Sequence, residues 1–200
     1  MNTIKNNTNN EIIIKNSRFI CYLYKINNKD DINNILNNIK KEHKDATHHC
    51  YAYILNDLKK ADDDGEPGGT AGIPILKVLE NNNLNYILAI VVRYFGGILL
   101  GAGGLVRAYA KSVTNTINKD NLVSLIKGYN IDITFNYDNI KNIDYLLKDI
   151  KINNKTFDTN IKYNIDIPEY SLNTIINNKI DYIINKDIYI EFNSSELKKK

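Results

Sequence analysis

The sequence predicts an α+β fold in two domains. Its 200 residues are 43% hydrophobic and 24% charged, which provides enough apolar side chains for a normal buried core. The hydrophobic pattern changes near residues 123–127, and beyond that point the predicted elements follow the β-α-β-β-α-β order of ferredoxin-like domains. We therefore expect one domain over residues 1–125 and a ferredoxin-like domain over residues 126–200, each with its own core.

The first domain begins with a strand and a helix. The pattern over residues 15–26 is typical of a strand. In the next segment apolar residues recur at helical spacing after Asp30 or Asp31, either of which is a suitable N-cap. His43 closes the apolar stripe of this predicted helix.

A second strand is predicted over residues 48–55, whose side chains alternate between two faces. His48 and Cys50 share one face, roughly 7 Å apart along the strand, which is loose for a thiolate–imidazolium pair. A buried cysteine is usually a small hydrophobic residue, so this interpretation competes with nucleophilic catalysis. Residues 56–69 are predicted to form a loop.

The rest of the first domain is a helix, a central strand and a second helix. Thr70 is the predicted cap of the first helix, whose inward residues are Ile73, Leu76 and Leu79. Residues 86–95 are apolar on both faces, as in a strand covered on both sides. After a glycine-rich turn, residues 105–116 form a helix that carries Arg107 and Lys111 on its outer side.

The second domain has a half-buried strand over residues 129–137, in which apolar and polar residues alternate. Asp138 is the predicted cap of the next helix. Two strands follow, then a short helix over residues 169–178 and a last strand over residues 188–192.

Composition excludes several classes of protein. No apolar run reaches the roughly 18 residues of a membrane helix, and no secretory signal is visible, so we expect a cytoplasmic protein without a membrane partner. Two cysteines are too few for a disulfide framework. The net charge of +3 comes from residues 1–125, which hold 15 Lys and Arg against 12 Asp and Glu.

An acidic segment, residues 62–66, holds four carboxylates within five positions. Such a cluster persists where solvent, a cation or basic groups neutralise it. One interpretation is a divalent cation held by Asp63, Asp64, Glu66 and His48. The other is a solvated loop that leads into the next helix, with glycines that permit a tight turn.

A glycine segment, residues 95–104, connects the central strand to the second helix. Backbone N–H groups at such a junction, together with the helix dipole, favour an anion. The spacing matches neither a Walker A loop nor a dinucleotide fingerprint. The candidate anion-binding or nucleic-acid-binding residues are Arg93, Gly96, Gly97, Gly101, Gly103, Gly104, Arg107 and Lys111. In the alternative, the glycines serve close packing, and the arginines pair internally with the acidic segment.

Two long motifs resemble those of the Impact/YigZ family. One includes the acidic segment and the residues after it, and the other runs from Val92 to Tyr109; the resemblance covers about residues 11–120. Further positions that carry it are Ser17, Arg18, His43, His48, Cys50, Pro67, Gly69, Thr70 and Gly72. The chain departs from the family pattern at Gly68, where Ser is usual.

The resemblance implies a first domain with the left-handed β-α-β fold of domain four of elongation factor G. The second domain would resemble domain five of that factor. It also implies a place near ribosomes or RNA. We therefore expect a translation-associated regulatory or binding protein whose partner is the ribosome, RNA or a translation-related protein, with catalysis left open.

Two other functions compete with this one. A metal-dependent hydrolase would use the acidic segment and His48, whereas a protein-interaction adaptor would use the glycine motifs only to build the fold. An exposed cleft that holds both the acidic segment and Arg107 favours the hydrolase. A flat basic face favours RNA binding, and full burial of the glycine segment favours the adaptor.

Overall fold

The computed structural model describes residues 1–192; residues 193–200 of the predicted second domain lie outside this description. The chain forms two compact units, Met1–Val123 and Ser124–Lys200. The elements of the first unit are β1 (Asn2–Ile4), β2 (Thr8–Ile14), β3 (Ser17–Lys25), α1 (Lys29–Glu42), β4 (His48–Leu55), β5 (Leu58–Asp62), α2 (Gly72–Asn81), β6 (Ile87–Tyr94) and α3 (Ala102–Thr116).

The first unit has an antiparallel sheet in the order β2-β3-β6-β4-β5. Helix α1 covers one face, where Ile39 packs with Leu88, and α2 and α3 cover the other, where Tyr109 packs with Val91. Strand β6 is buried on both faces, so the prediction of a covered central strand is confirmed. Helix α1 connects β3 to β4, which run parallel with β6 between them. The left hand of this β-α-β unit stays a prediction.

Two details of the first half differ from the prediction. Strand β3 is the second arm of a hairpin whose turn residues, Lys15 and Asn16, have φ of 45° and 64°, as a two-residue hairpin turn requires. Helix α1 is capped by Asn28 instead of Asp30 or Asp31. The Asn28 side chain accepts from the backbone N–H of Asp31, and the Asp31 carboxylate accepts from that of Asn28, so the two residues form a capping box.

The predicted loop over residues 56–69 is also partly wrong, because it contains β5. This strand pairs with β4 at the edge of the sheet, and its first three residues are exposed. An exposed edge strand has no need of an apolar alternation, which is why the pattern does not reveal it. In α2, Ile75 and Leu79 are buried while Ile73 is 44% exposed, so the predicted inward face is only partly right.

The second unit is ferredoxin-like, as predicted. Its elements are β7 (Leu122–Phe135), α4 (Ile140–Leu146), β8 (Lys151–Phe157), β9 (Ile161–Pro168), α5 (Leu172–Asn177) and β10 (Asp181–Phe192). Strand β7 pairs antiparallel with β9 and β10, and β9 with β8, which gives the order β10-β7-β9-β8.

The second unit has its own apolar cluster, centred on the inward residues of β7 and β9 with Ile143 and Ile175 from the two helices. Strand β10 begins at Asp181, earlier than predicted. Its first seven residues are exposed and show no alternation in burial, so the sequence pattern does not reveal them. Across residues 1–192, no helix combines the length and apolar character that crossing a membrane would take.

Candidate functional site

A cleft of about 380 Å³ lies in the first unit between the acidic and glycine segments. It forms where β4 begins and β6 ends, because His48 and Arg93 are paired positions of these neighbouring strands. Glu66 and Pro67 line one side, and Phe95, Leu99 and Leu105 line the other. The fold thus brings both sequence motifs to one place.

A buried ion pair lies at the floor of the cleft. Oε1 of Glu66 accepts from Nη1 of Arg93 at 2.6 Å and from the Tyr109 hydroxyl at 2.7 Å. The side chains of Glu66 and Arg93 are only 3% and 6% exposed. The guanidinium also lies 5.4 Å from the Phe19 ring centre and 5.5 Å from that of Phe95. Arg93 is therefore paired internally with the acidic segment, as the alternative interpretation expects.

Asp63 organises the turn into α2. Its carboxylate accepts from the backbone N–H groups of Gly69, Ala71 and Gly72 at 2.7, 2.9 and 2.8 Å. Burial opposes ionisation, but these three donors hold the pKa of Asp63 below its ordinary value. The Thr70 hydroxyl donates to the Pro67 carbonyl, and Ala71 is the N-cap, so the prediction of Thr70 as the helix cap is wrong.

The other two aspartates of the acidic segment also bind groups of the first unit. Asp64 accepts from the backbone N–H of His49 at 2.7 Å and from Nζ of Lys40 at 3.1 Å. Burial raises the pKa of Asp64, but these donors outweigh it and leave the pKa lowered. Asp62 accepts from the backbone N–H of Asp64.

The acidic segment is thus divided among separate hydrogen bonds. In the part of the chain that the structure describes, no three His, Cys, Asp or Glu side chains cluster closely enough to hold a metal ion. The residues predicted for a cation site, Asp63, Asp64, Glu66 and His48, are neighbours without forming such a cluster.

His48 and Cys50 do not form a thiolate–imidazolium pair. Nδ1 of His48 lies 2.8 Å from the Asp64 carbonyl, which can only accept, so this nitrogen carries the proton. The Cys50 sulfur lies 3.0 Å from the Asp63 carbonyl and 3.3 Å from the Tyr109 hydroxyl. Burial raises the pKa of the Cys50 thiol to about 12, which removes the thiolate needed for nucleophilic attack.

Three motif residues hold the framework around the site. The Ser17 hydroxyl accepts from the backbone N–H of Gly96 at 3.1 Å, and a side chain at Gly96 would overlap the backbone of Asn16. Arg18 pairs with Glu11 at 2.9 Å. The His43 ring lies between the hydroxyls of Tyr22 and Tyr94, at 2.7 and 2.8 Å.

The start of α3 is open by contrast. Its N-cap, Gly101, has φ of 69°, no side chain caps the helix, and its first turn has no acidic residue. Arg107 and Lys111 are exposed on its outer face. Nη1 of Arg107 lies 3.5 Å from the position that a Cβ of Gly103 would occupy, which places the guanidinium beside the helix N-terminus.

The structure therefore divides the predicted anion-binding set. Arg107, Lys111 and the glycines at the helix start are accessible, Arg93 is internal, and Gly96 serves close packing. Gly97 has φ of 84°, a conformation that favours glycine. Gly104 faces Leu100, with 3.0 Å between the Leu100 Cβ and an added Cβ.

The structure does not meet in full any of the three criteria that would distinguish a hydrolase, an RNA-binding protein and an adaptor. Of the acidic segment, only Gly65 and Glu66 line the cleft. Arg107 is not in the lining, and most of the glycine segment is exposed. Sequence reasoning also missed Tyr109 as a donor to Glu66. The residue stands in the second motif, but only the fold shows that its hydroxyl reaches the carboxylate.

Comparison with known proteins gives a consistent family. The model of the Impact N-terminal domain matches residues 15–117. The IMPACT family member YvyE of Bacillus subtilis is 49% identical over 119 residues, which are 58% of this chain and 55% of that protein. The IMPACT family member YigZ of Escherichia coli is 42% identical over 111 residues, 53% of this chain and 54% of that protein. The chain thus spans about half the length of these relatives.

The likeness in structure extends further along the chain. A crystal structure described as that of a hypothetical protein covers 92% of this chain and 97% of its own, with a TM-score of 0.63 and 29% identity. Both units contribute to an alignment of that extent. Because the family model matches more than half of the residues, the chain belongs to the Impact/YigZ family.

Proposed function

We propose that this protein is a translation-associated binding protein of the cytoplasm that contacts RNA, free or within the ribosome, through the outer face of α3. The observation that carries the proposal is the exposed pair Arg107 and Lys111 on one helix, with Arg107 beside its uncapped N-terminus. Membership of the Impact/YigZ family supports the link to translation.

The geometry of this face suits a phosphate chain. Arg107 and Lys111 are four residues apart and therefore lie on one side of the helix. The helix dipole adds partial positive charge at the N-terminus, where no carboxylate of the first turn opposes it. Backbone N–H groups at a helix start and an arginine fork are both common phosphate ligands.

Co-sedimentation with ribosomes at graded salt tests the proposal. The parent protein should pellet with ribosomes at low salt and be released as salt rises, because each neutralised phosphate releases counterions. The double variant Arg107→Ala, Lys111→Ala should lose most of this binding while its thermal melting stays unchanged. The matched control is Lys41→Ala, an exposed lysine of α1 on the opposite side of the sheet.

Two results would contradict the proposal. One is pelleting that is insensitive to both salt and the double variant, which would favour a protein-interaction adaptor. The other is the absence of ribosome and RNA binding in the folded parent protein at any salt concentration.

A further inference from the structure

The cleft beside the start of α3 has features that a plain basic face does not require. Resting on the proposed function, we propose that this cleft accepts one unstacked base of single-stranded RNA, and that it favours bases bearing an exocyclic amino group. The base would lie in the cleft while its phosphate lies at the N-terminus of α3 beside Arg107.

The cleft offers an aromatic wall. Phe95 is 46% exposed and Leu99 is 82% exposed, which is unusual for side chains that line one concave site. The backbone N–H of Phe95 donates to the Thr47 hydroxyl, and the Arg93 guanidinium lies 5.5 Å from the centre of the Phe95 ring. Proteins that bind single strands commonly stack an unpaired base on such a ring.

The floor of the cleft offers acceptors. Because the Asp64 carbonyl can only accept, the tautomer of His48 that donates from Nδ1 presents Nε2 as an acceptor. It lies 3.8 Å from Oε2 of Glu66, and no donor among residues 1–192 is within hydrogen-bond distance of that oxygen. An amino group brings the hydrogens that these acceptors need. Adenine, cytosine and guanine carry one, whereas uracil does not.

The dimensions suit one nucleotide. About 380 Å³ is at the lower end of the 300–1,000 Å³ typical of small-molecule pockets, which accommodates a base but not a folded element. Gly101 and Ala102 line the cleft and also begin α3, so the phosphate site and the base site share an edge. Arg93 also lines the cleft and contributes a further cation. Its Nε is buried and has no hydrogen-bond partner among the described residues.

A peptide that ends in an apolar residue would also bring an anion and an apolar group. The acceptors at the floor favour the base, because an aliphatic side chain would leave them without a donor. A peptide is therefore the competing outcome of the test.

The test compares two labelled RNA octamers by fluorescence anisotropy: octauridylate, and octauridylate with one central adenosine. The adenosine octamer should bind roughly tenfold more tightly, because only adenine brings an amino group whose hydrogens can reach the acceptors at the floor of the cleft. Phe95→Leu should weaken the binding of both octamers, because every base can stack on the ring, and Phe95→Tyr should keep both affinities. Phe157→Leu, at a phenylalanine of the second unit that is 58% exposed, should leave both affinities unchanged.

The outcomes separate this inference from the proposed function. Equal affinity for the two octamers, with salt-dependent binding that Arg107→Ala weakens, would overturn the base site and leave the basic face intact. Failure of both octamers and of ribosomes to bind would overturn both proposals. If the octamers bind equally and a leucine-terminated pentapeptide binds only with a free carboxylate, the cleft is a peptide site and the base inference is wrong.

Discussion

The acidic segment carries four carboxylates, and each accepts a hydrogen bond from a group of the first unit itself. The outer face of α3 carries two cations, and neither has an ion-pair partner among residues 1–192. Glu66 of the acidic segment lines the cleft, whereas Arg107 and Lys111 do not. The difference between the two regions shows that most of a dense group of charges can be engaged by hydrogen bonds within the fold, whereas two exposed cations on one helix face remain available to a ligand.

The largest expected effect concerns the buried ion pair between Glu66 and Arg93. Glu66→Gln keeps the shape of the side chain but leaves the Arg93 cation buried without a counter-charge. We expect a loss of about 3–5 kcal/mol in the free energy of unfolding, measured by urea denaturation. Replacing both residues, as Glu66→Gln with Arg93→Met, should cost less than Glu66→Gln alone.

A surface pair provides the matched control. Glu80→Gln removes a carboxylate that binds Lys59 at 2.8 Å, but both side chains are well exposed. The cost there should be about 0–1 kcal/mol. Similar small losses for Glu66→Gln and Glu80→Gln would show that the floor of the cleft is not a structural ion pair.

A smaller effect separates two glycines of the second motif. Gly96→Ala should destabilise the fold by about 1–3 kcal/mol, because the new methyl group would overlap the backbone of Asn16. Gly103→Ala should be within about 0.5 kcal/mol of the parent, since its Cβ would meet only the flexible Arg107 side chain at 3.5 Å. Equal losses in thermal melting would contradict this division between packing and open surface.

The smallest effect on stability concerns pH. Backbone donors and Lys40 leave the pKa values of Asp63 and Asp64 lower in the folded state than in the unfolded chain. Their contribution is therefore complete above the unfolded pKa, about 4, and is lost as the pH falls through the lower folded values. Asp63→Asn should flatten the acid side of the stability profile, whereas Asp45→Asn at an exposed turn should not. An unchanged acid limb would show that Asp63 does not contribute in this way.

Much of this fold is predictable because its strongest patterns are local. Strand β6 is apolar on both faces, and the alternation in β7 and β9 marks one buried side. The sequence pattern does not reveal edge strand β5 or the first half of β10, because exposed strands do not need alternating apolar residues. The two motifs that form the site are also visible in the sequence, and so is the glycine segment that leads into α3.

The partners within the site are not predictable in the same way. The contact of Glu66 with Arg93 joins residues 27 positions apart, and its contact with Tyr109 joins residues 43 apart. Only the sheet register and the packing of α3 decide whether Arg93 meets Glu66 or a ligand. From the sequence, either arginine could pair internally or bind an anion. In the structure Arg93 pairs with Glu66, whereas Arg107 is exposed.

The central claim is that the exposed cations of α3 contact the phosphates of RNA. The most direct measurement is the slope of the logarithm of ribosome affinity against the logarithm of salt concentration, for the parent, Arg107→Ala and Lys41→Ala. We expect Arg107→Ala to weaken binding and to reduce the slope by about one, and Lys41→Ala to leave it unchanged. An unchanged slope in a normally folded Arg107→Ala protein would contradict the account.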